Sequence, residues 1–276
     1  MGRVSSIGSS PVPLAPAVPF VRWDDAGWFG VDVAVTTRAG GVSAPPYDTL
    51  NVALHVGDRA EDVAVNRARA AAAFGVGLGD MVFARQVHGA GVASVGTDDR
   101  GRGAANEEDA VPGADVLVTA DPGLALVIMV ADCVPLALVD PTARVLAVVH
   151  AGWRGTAAGA VGAALAAMDT LGARRHRVHA FVGPAVAPER YQVDDQVRQR
   201  LAGAVAGGLA PGVARPDGPG HWLVDLVAAN RQQLLEGGVL APRITSCGTT
   251  TADPAFFSDR ARRPCGRFAL LARLAR

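Results

Sequence analysis

Three side chains of this sequence have the chemistry of a metal centre. His88 lies in Arg85-Gln86-Val87-His88-Gly89 and Cys133 in Ala131-Asp132-Cys133-Val134-Pro135. His150 ends an apolar run and opens Ala151-Gly152-Trp153-Arg154-Gly155-Thr156. Zinc takes thiolate and imidazole ligands, and a catalytic zinc holds three protein ligands and keeps a fourth position open. One cysteine and two histidines make such a set. Asp140-Pro141-Thr142 reads as a turn between adjacent strands, which would bring Cys133 and His150 to one point. Nothing in the spacing draws His88 there. Plainer readings stand beside this one: a lone cysteine at a strand end is a small buried hydrophobe, and a lone histidine makes a hydrogen bond or faces water. His55, His176, His179 and His221 read as surface residues.

A second feature follows His150. Gly152, Gly155 and Gly159 surround Arg154, and Thr156 is placed to cap a helix starting there. Free backbone N–H groups and a guanidinium suit an oxyanion. Equally, small residues there would let the helix pack closely on a sheet.

The elements that position these residues are read from periodicity. Strand-like runs fall at residues 31–37, 115–119, 124–130, 145–150, 178–182, 243–247 and 268–274. Helical stretches fall at 61–74, 156–171, 193–205 and 223–235. The first carries Val, Ala and Phe on one stripe with Glu61, Arg67 and Arg69 outside it; the second is expected to be buried on most sides. Residues 206–220 read as a long loop and 101–113 as an exposed one, while Gly75 ends a helix. Strands and helices mix without strict alternation, which predicts an α+β fold, a mixed α/β sandwich in one domain over residues 20–276. Residues 1–19, punctuated by prolines, read as a flexible tail without a signal peptide.

Composition bounds the rest. The chain has 276 residues, 26 basic and 26 acidic, with no net charge and half its residues apolar. A neutral total excludes nucleic-acid binding through a broad basic face and recruitment to an anionic membrane. Every basic residue is an arginine, so lysine Schiff-base chemistry is excluded. Three cysteines in a long chain are no disulfide framework, and a cytoplasmic location is expected.

The motifs together resemble the YfiH, or laccase-domain, family, whose members are also called multicopper polyphenol oxidases and purine nucleoside phosphorylases. The resemblance rests on Thr37-Arg38-Ala39-Gly40-Gly41-Val42-Ser43, on Leu50-Asn51 with His55-Val56-Gly57-Asp58, and on Gln86-Val87-His88-Gly89. It continues through Ala131-Asp132-Cys133-Val134-Pro135, His150-Ala151-Gly152-Trp153-Arg154-Gly155 and Gly183-Pro184 in the family's order. It implies that His88, Cys133 and His150 are the metal-binding, catalytic trio, in a sandwich related to the catalytic domain of cytotoxic necrotizing factor toxins. It further implies phosphorolysis of purine nucleosides, namely adenosine, inosine and methylthioadenosine, with adenosine deamination. Copper-dependent phenol oxidation and peptidoglycan quality control are also attached to the family. One segment departs from the pattern: Asp259 stands where the family has an aromatic residue, and Ala261 where it has a second arginine.

Each chemistry makes its own demands. A multicopper oxidase needs many histidines, often as His-x-His pairs; this chain has six and no such pair. One-copper oxidation makes no such demand. Zinc-assisted purine chemistry needs a proton carrier, for which Asp132 is the candidate, and phosphate donors, for which Arg38, Arg154 and Arg260 are candidates. Gln86 and Asn51 are candidates to hold the base or sugar. A cysteine hydrolase would use Cys133 with His150 or His88. A structural zinc would need a fourth ligand, with Cys247 the remaining candidate to be tested.

Overall fold

In the computed structural model, which describes residues 17–275, two six-stranded sheets lie face to face. The first sheet runs in the order β1 (Phe20–Arg22), β2 (Val31–Thr36), β15 (Phe268–Leu274), β7 (Ala125–Val130), β3 (Met81–Arg85) and β5 (Val111–Pro112). The second runs β14 (Ile244–Ser246), β10 (His179–Val182), β8 (Val134–Asp140), β9 (Val145–Ala151), β6 (Val116–Thr119) and β4 (Val92–Ser94). A three-stranded sheet of β11 (Gln192–Asp194), β13 (His221–Val224) and β12 (Ala214–Pro216) sits apart. Five α-helices occur among the described residues: α1 (Ala60–Phe74), α2 (Trp153–Ala157), α3 (Ala160–Thr170), α4 (Asp195–Ala202) and α5 (Leu226–Glu236).

Strand alternation explains the layers. Side chains at every second position point to one face. Val33 and Val35 of β2, Leu126 and Ile128 of β7 and Leu270 of β15 meet Ala137, Val139, Leu146, Val148 and Phe181 between the sheets. The opposite face of the second sheet, with Val134, Leu136, Val145, Ala147 and Val149, packs on Ala164, Leu165 and Met168 of α3 and Leu234 of α5. The outer face of the first sheet packs on Ala71 and Phe74 of α1. Each sheet has an apolar covering on both faces, which is why β7, β8 and β9 are buried throughout. The mixed α/β sandwich expected from the sequence is the fold observed.

Several local readings are corrected. The expected tail falls almost wholly outside the described residues. The apolar run before Val145 contains a full strand, β8, joined to β9 in antiparallel register from Val134↔Ala151 to Asp140↔Val145. The stretch 156–171 is two helices, broken where Gly159 takes a left-handed φ of +79°. Its helix starts earlier than expected, with Gly152 as N-cap, so Thr156 caps nothing and instead hydrogen-bonds Asn230 in the interior. Only one face of α3 is buried. Arg67 lies inside, not outside, the buried stripe of α1; it donates to the carbonyls of Val52, Gly103 and Ala104. The loop 206–220 contains β12. His179 stacks on Phe29, ring centroids 3.9 Å apart, rather than pointing outward.

Candidate active site

His150 belongs to β9, on the same face as Leu146 and Val148. Strand alternation therefore aims its imidazole into the space between the sheets, at the end where the strand leaves the core. Cys133 sits in the connection from β7 to β8, so it stands where the chain passes from one sheet to the other. The ladder sets Pro135 opposite His150, which fixes Cys133 close to that imidazole.

His88 follows β3 and reaches the same point through a residue that sequence reading passed over. Asp115 is fully buried just before β6. Its carboxylate accepts the backbone N–H groups of Val87, His88 and Gly89 at 3.3, 3.0 and 2.7 Å. It also accepts the Nδ1–H of His150 at 2.7 Å. One carboxylate thus folds the His88 loop against β9 and fixes the tautomer of His150. His88 itself takes a φ of +59°, sparsely populated for a non-glycine residue and held here by those bonds. The sequence signal for Asp115 is an acid heading the largely β-branched run Val116-Leu117-Val118-Thr119, a pattern that by itself marks only the start of a strand.

The ligand atoms of His88, Cys133 and His150 lie within 4.8 Å of one another. His88 is exposed, Cys133 half-buried and His150 buried. The two imidazole centroids are 4.7 Å apart, with the rings at 76°. One soft thiolate and two imidazoles, fixed from behind by a carboxylate on Nδ1, fit a zinc or copper ion. No fourth ligand joins them among the described residues; the Cys247 thiol instead approaches the carbonyl of Thr249 at 3.6 Å.

Electrostatics bind the trio together. Burial alone would push the Cys133 thiol up, but the charge of His150 and hydrogen bonds from both histidines outweigh it and bring it down to about 6. Burial would push His150 down; the Cys133 thiolate and Asp115 outweigh that and raise it to about 9. Between those two values, and without a metal, the pair is favoured as thiolate and imidazolium.

Close approach explains two glycines after His150. A Cβ on Gly152 would stand 2.8 Å from the Cys133 Sγ. A Cβ on Gly155 would stand 2.8 Å from the Gly89 carbonyl oxygen. The glycines are there so that α2 can lie against the trio and the His88 loop.

The trio opens into a cleft of about 350 Å³. His55, Met129, Tyr191 and Trp153 also line it, together with Arg154, Arg260, Arg263 and Arg267. Four guanidiniums line one cleft of a neutral chain, two of them facing the Asp259 carboxylate, so the wall is cationic on balance. Arg154 lies over Trp153 and Arg260 over Tyr191, at 4.5 and 5.1 Å from the ring centroids. His55, expected as a plain surface residue, lies at the rim, with Glu107 3.9 Å away.

The other expected site residues have different neighbours. Asp132 lines the cleft with a φ of +88°, but its oxygens accept from the Thr251 and Ser258 hydroxyls at 2.5 and 2.8 Å and from the Arg260 N–H at 2.6 Å. Its geometry is that of an anchor for the segment carrying Arg260, not of a free proton carrier. Gln86 lines the cleft, yet its amide spans both the N–H and the carbonyl of Met129 at 2.8 Å, prolonging the β3–β7 ladder by a side chain. Asn51 is fully buried and ties the N–H groups of Ala53 and Arg267, so it cannot reach a nucleoside in the cleft. Arg38 lines a separate cleft, paired to Asp48 at 2.6 Å and lying over Phe257. The arginines missed by sequence reading, Arg263 and Arg267, are in the cleft instead.

Among the described residues no helix is long and apolar enough to cross a membrane. The family profile described as "Multi-copper polyphenol oxidoreductase laccase" matches residues 32–275. The chain is 42% identical over 240 residues to a Mycobacterium tuberculosis protein named purine nucleoside phosphorylase, covering 86% of this chain and 89% of that protein. It is 40% identical over 249 residues to a Deinococcus radiodurans protein of the same name, covering 89% and 88%. The crystal structure of YlmD from Geobacillus stearothermophilus superposes with a TM-score of 0.86 at 37% identity, over 90% of this chain and 93% of that one. That of Bacillus licheniformis YfiH gives 0.84 at 31% identity, over 90% and 94%. By profile, relatives and fold alike, the chain belongs to the multi-copper polyphenol oxidoreductase laccase family.

Proposed function

We propose that this chain is a zinc-dependent purine nucleoside phosphorylase acting on adenosine, inosine and methylthioadenosine, with adenosine deamination as a second activity. The observation that carries the reading is the joining, in one cleft, of a three-ligand metal set and a wall of arginines. The names of the relatives support it. His88, Cys133 and His150 would hold the ion, which supplies Lewis acidity and makes water acidic near neutral pH. Arg154 and Arg260 receive the phosphate oxygens, each guanidinium offering a planar pair of donors. The phosphate then attacks C1′ as the C1′–N9 bond breaks, giving the sugar 1-phosphate, and the departing base takes its proton from the hydrogenphosphate or from solvent. Asp115 keeps His150 turned toward the thiolate, and Asp132 keeps the Arg260 segment in place.

A cleft with one metal set does not suit a four-copper oxidase. Two of the six histidines are in the trio, and no second group of three ligands occurs among the described residues. Zinc is therefore favoured, with a single copper able to use the same donors.

A second reading draws on the line from Asp115 through His150 to Cys133, which matches a thiol nucleophile with its base and orienting acid. It would make the chain a cysteine hydrolase acting on a cell-wall precursor. Purified protein, adenosine and phosphate decide the matter, with adenine, inosine and hypoxanthine resolved as products. Adenine that forms only with phosphate is expected. No phosphate-dependent base release would end the phosphorylase reading, and full activity in metal-free protein would favour the hydrolase.

A further inference from the structure

Asp259 is the cleft carboxylate aimed at the arginines. Its Oδ2 accepts from Arg263 Nε at 2.6 Å, and its Oδ1 faces Arg267 Nη2 at 3.3 Å. The second nitrogen of Arg267 is turned the other way, onto the carbonyls of Cys265 and Gly266. Asp132, the other acid of the cleft, is already saturated by two hydroxyls and a backbone N–H. Two carboxylate oxygens, each set against its own guanidinium, occupy the places that two oxygens of a phosphate would take against the same pair. Asp259 is three-quarters shielded from solvent, so its charge acts on the cleft with less screening than an exposed one.

We propose that Asp259 is a built-in counter-ion of the arginine wall, competing with the substrate phosphate and setting how much phosphate the enzyme requires. This rests on the phosphorylase reading and adds a specificity-determining residue to it. A phosphate dianion reaching Arg263 and Arg267 must displace the carboxylate, and one held by Arg154 and Arg260 shares the cleft with that negative charge. Phosphate demand is thereby raised, and weaker or smaller anions are kept off the empty arginines.

The test is calorimetric titration of inorganic phosphate into the full-length protein, its D259N variant and its Asp259→Tyr variant at fixed ionic strength. Both variants are expected to bind phosphate about two- to five-fold more tightly, the range of one partly exposed ion pair. The apparent KM for phosphate falls by the same factor while that for adenosine holds. Unchanged or weaker phosphate binding in both variants overturns the proposal, weaker binding meaning that Asp259 positions the arginines for the anion. Tighter binding without any base release from adenosine would sink the phosphorylase reading and leave the counter-ion standing. Phosphate-dependent release with unchanged binding would do the reverse.

Discussion

Asp115 and His150 are joined twice: the carboxylate receives the imidazole Nδ1–H at 2.7 Å, and the backbone carbonyl of Asp115 receives the backbone N–H of His150 at 2.8 Å. The same carboxylate gathers the N–H groups of residues 87–89. Asp115→Asn keeps the shape but puts a second donor against donors. Metal affinity is expected to fall about 10- to 100-fold, as for other partners behind metal-bound histidines. Competition with a chromophoric chelator measures it, and an unchanged affinity would mean that packing alone holds the trio.

Cys133→Ala removes the thiolate from a site where the remaining ligands are imidazoles. Loss of stoichiometric metal and of nucleoside cleavage is expected, with the circular dichroism of the fold retained. Native protein purified without chelator should carry close to one ion per chain, since the three ligand atoms are already grouped. Metal analysis beside the product assay checks both.

In metal-free protein the thiolate of Cys133 forms as pH rises through about 6, far below an ordinary thiol. The iodoacetamide alkylation rate should therefore climb around that pH and then level off. His150→Ala withdraws the compensating charge, leaving burial to dominate, and should move the midpoint upward. A native midpoint near 8 to 9 would deny the pairing.

The arginines divide by location. Arg154→Ala should raise the phosphate KM about tenfold or more, the worth of a charged hydrogen bond, with little effect on the nucleoside. Arg38→Ala should leave phosphate dependence untouched, because Arg38 lines another cleft and faces Asp48. It should cost at most about 1 kcal/mol of stability. Steady-state kinetics with phosphate varied separates the two.

Two glycines offer a stability contrast. Gly155→Ala would place a Cβ 2.8 and 3.3 Å from the carbonyl oxygens of Gly89 and His150, neither of which yields cheaply, and should cost about 1–3 kcal/mol. Gly162, within α3, has nothing within 4 Å of its would-be Cβ. Gly162→Ala should stabilise by about 0.5–1 kcal/mol. Denaturant midpoints of both variants give the comparison.

The three candidate ligands were legible because their residue types are rare in this composition and because the turn at residues 140–142 was expected to bring Cys133 and His150 together. Convergence of His88 was not legible: it depends on a buried carboxylate 27 residues downstream, a contact that no local pattern encodes. Arg67 and Asn51 misled for one reason. A polar side chain whose partners are backbone groups of distant loops looks, in sequence, like one free for solvent or substrate. Arg38 carried the right charge in the wrong place, since sequence gives residue types without distances. The departure at Asp259 was visible from the start, but its meaning needed Arg263 and Arg267 on either side of it.

The placement of β15 has a consequence for biosynthesis. Residues 268–274 occupy the middle of the first sheet, bonded to β2 on one side and β7 on the other. A growing polypeptide must carry two unsatisfied inner edges from its first hundred and thirty residues until that late segment emerges, a long delay for pairings so remote in sequence. Closing the first sheet therefore waits on the strand that comes last in sequence among those described, and the space between the two sheets is completed only with it.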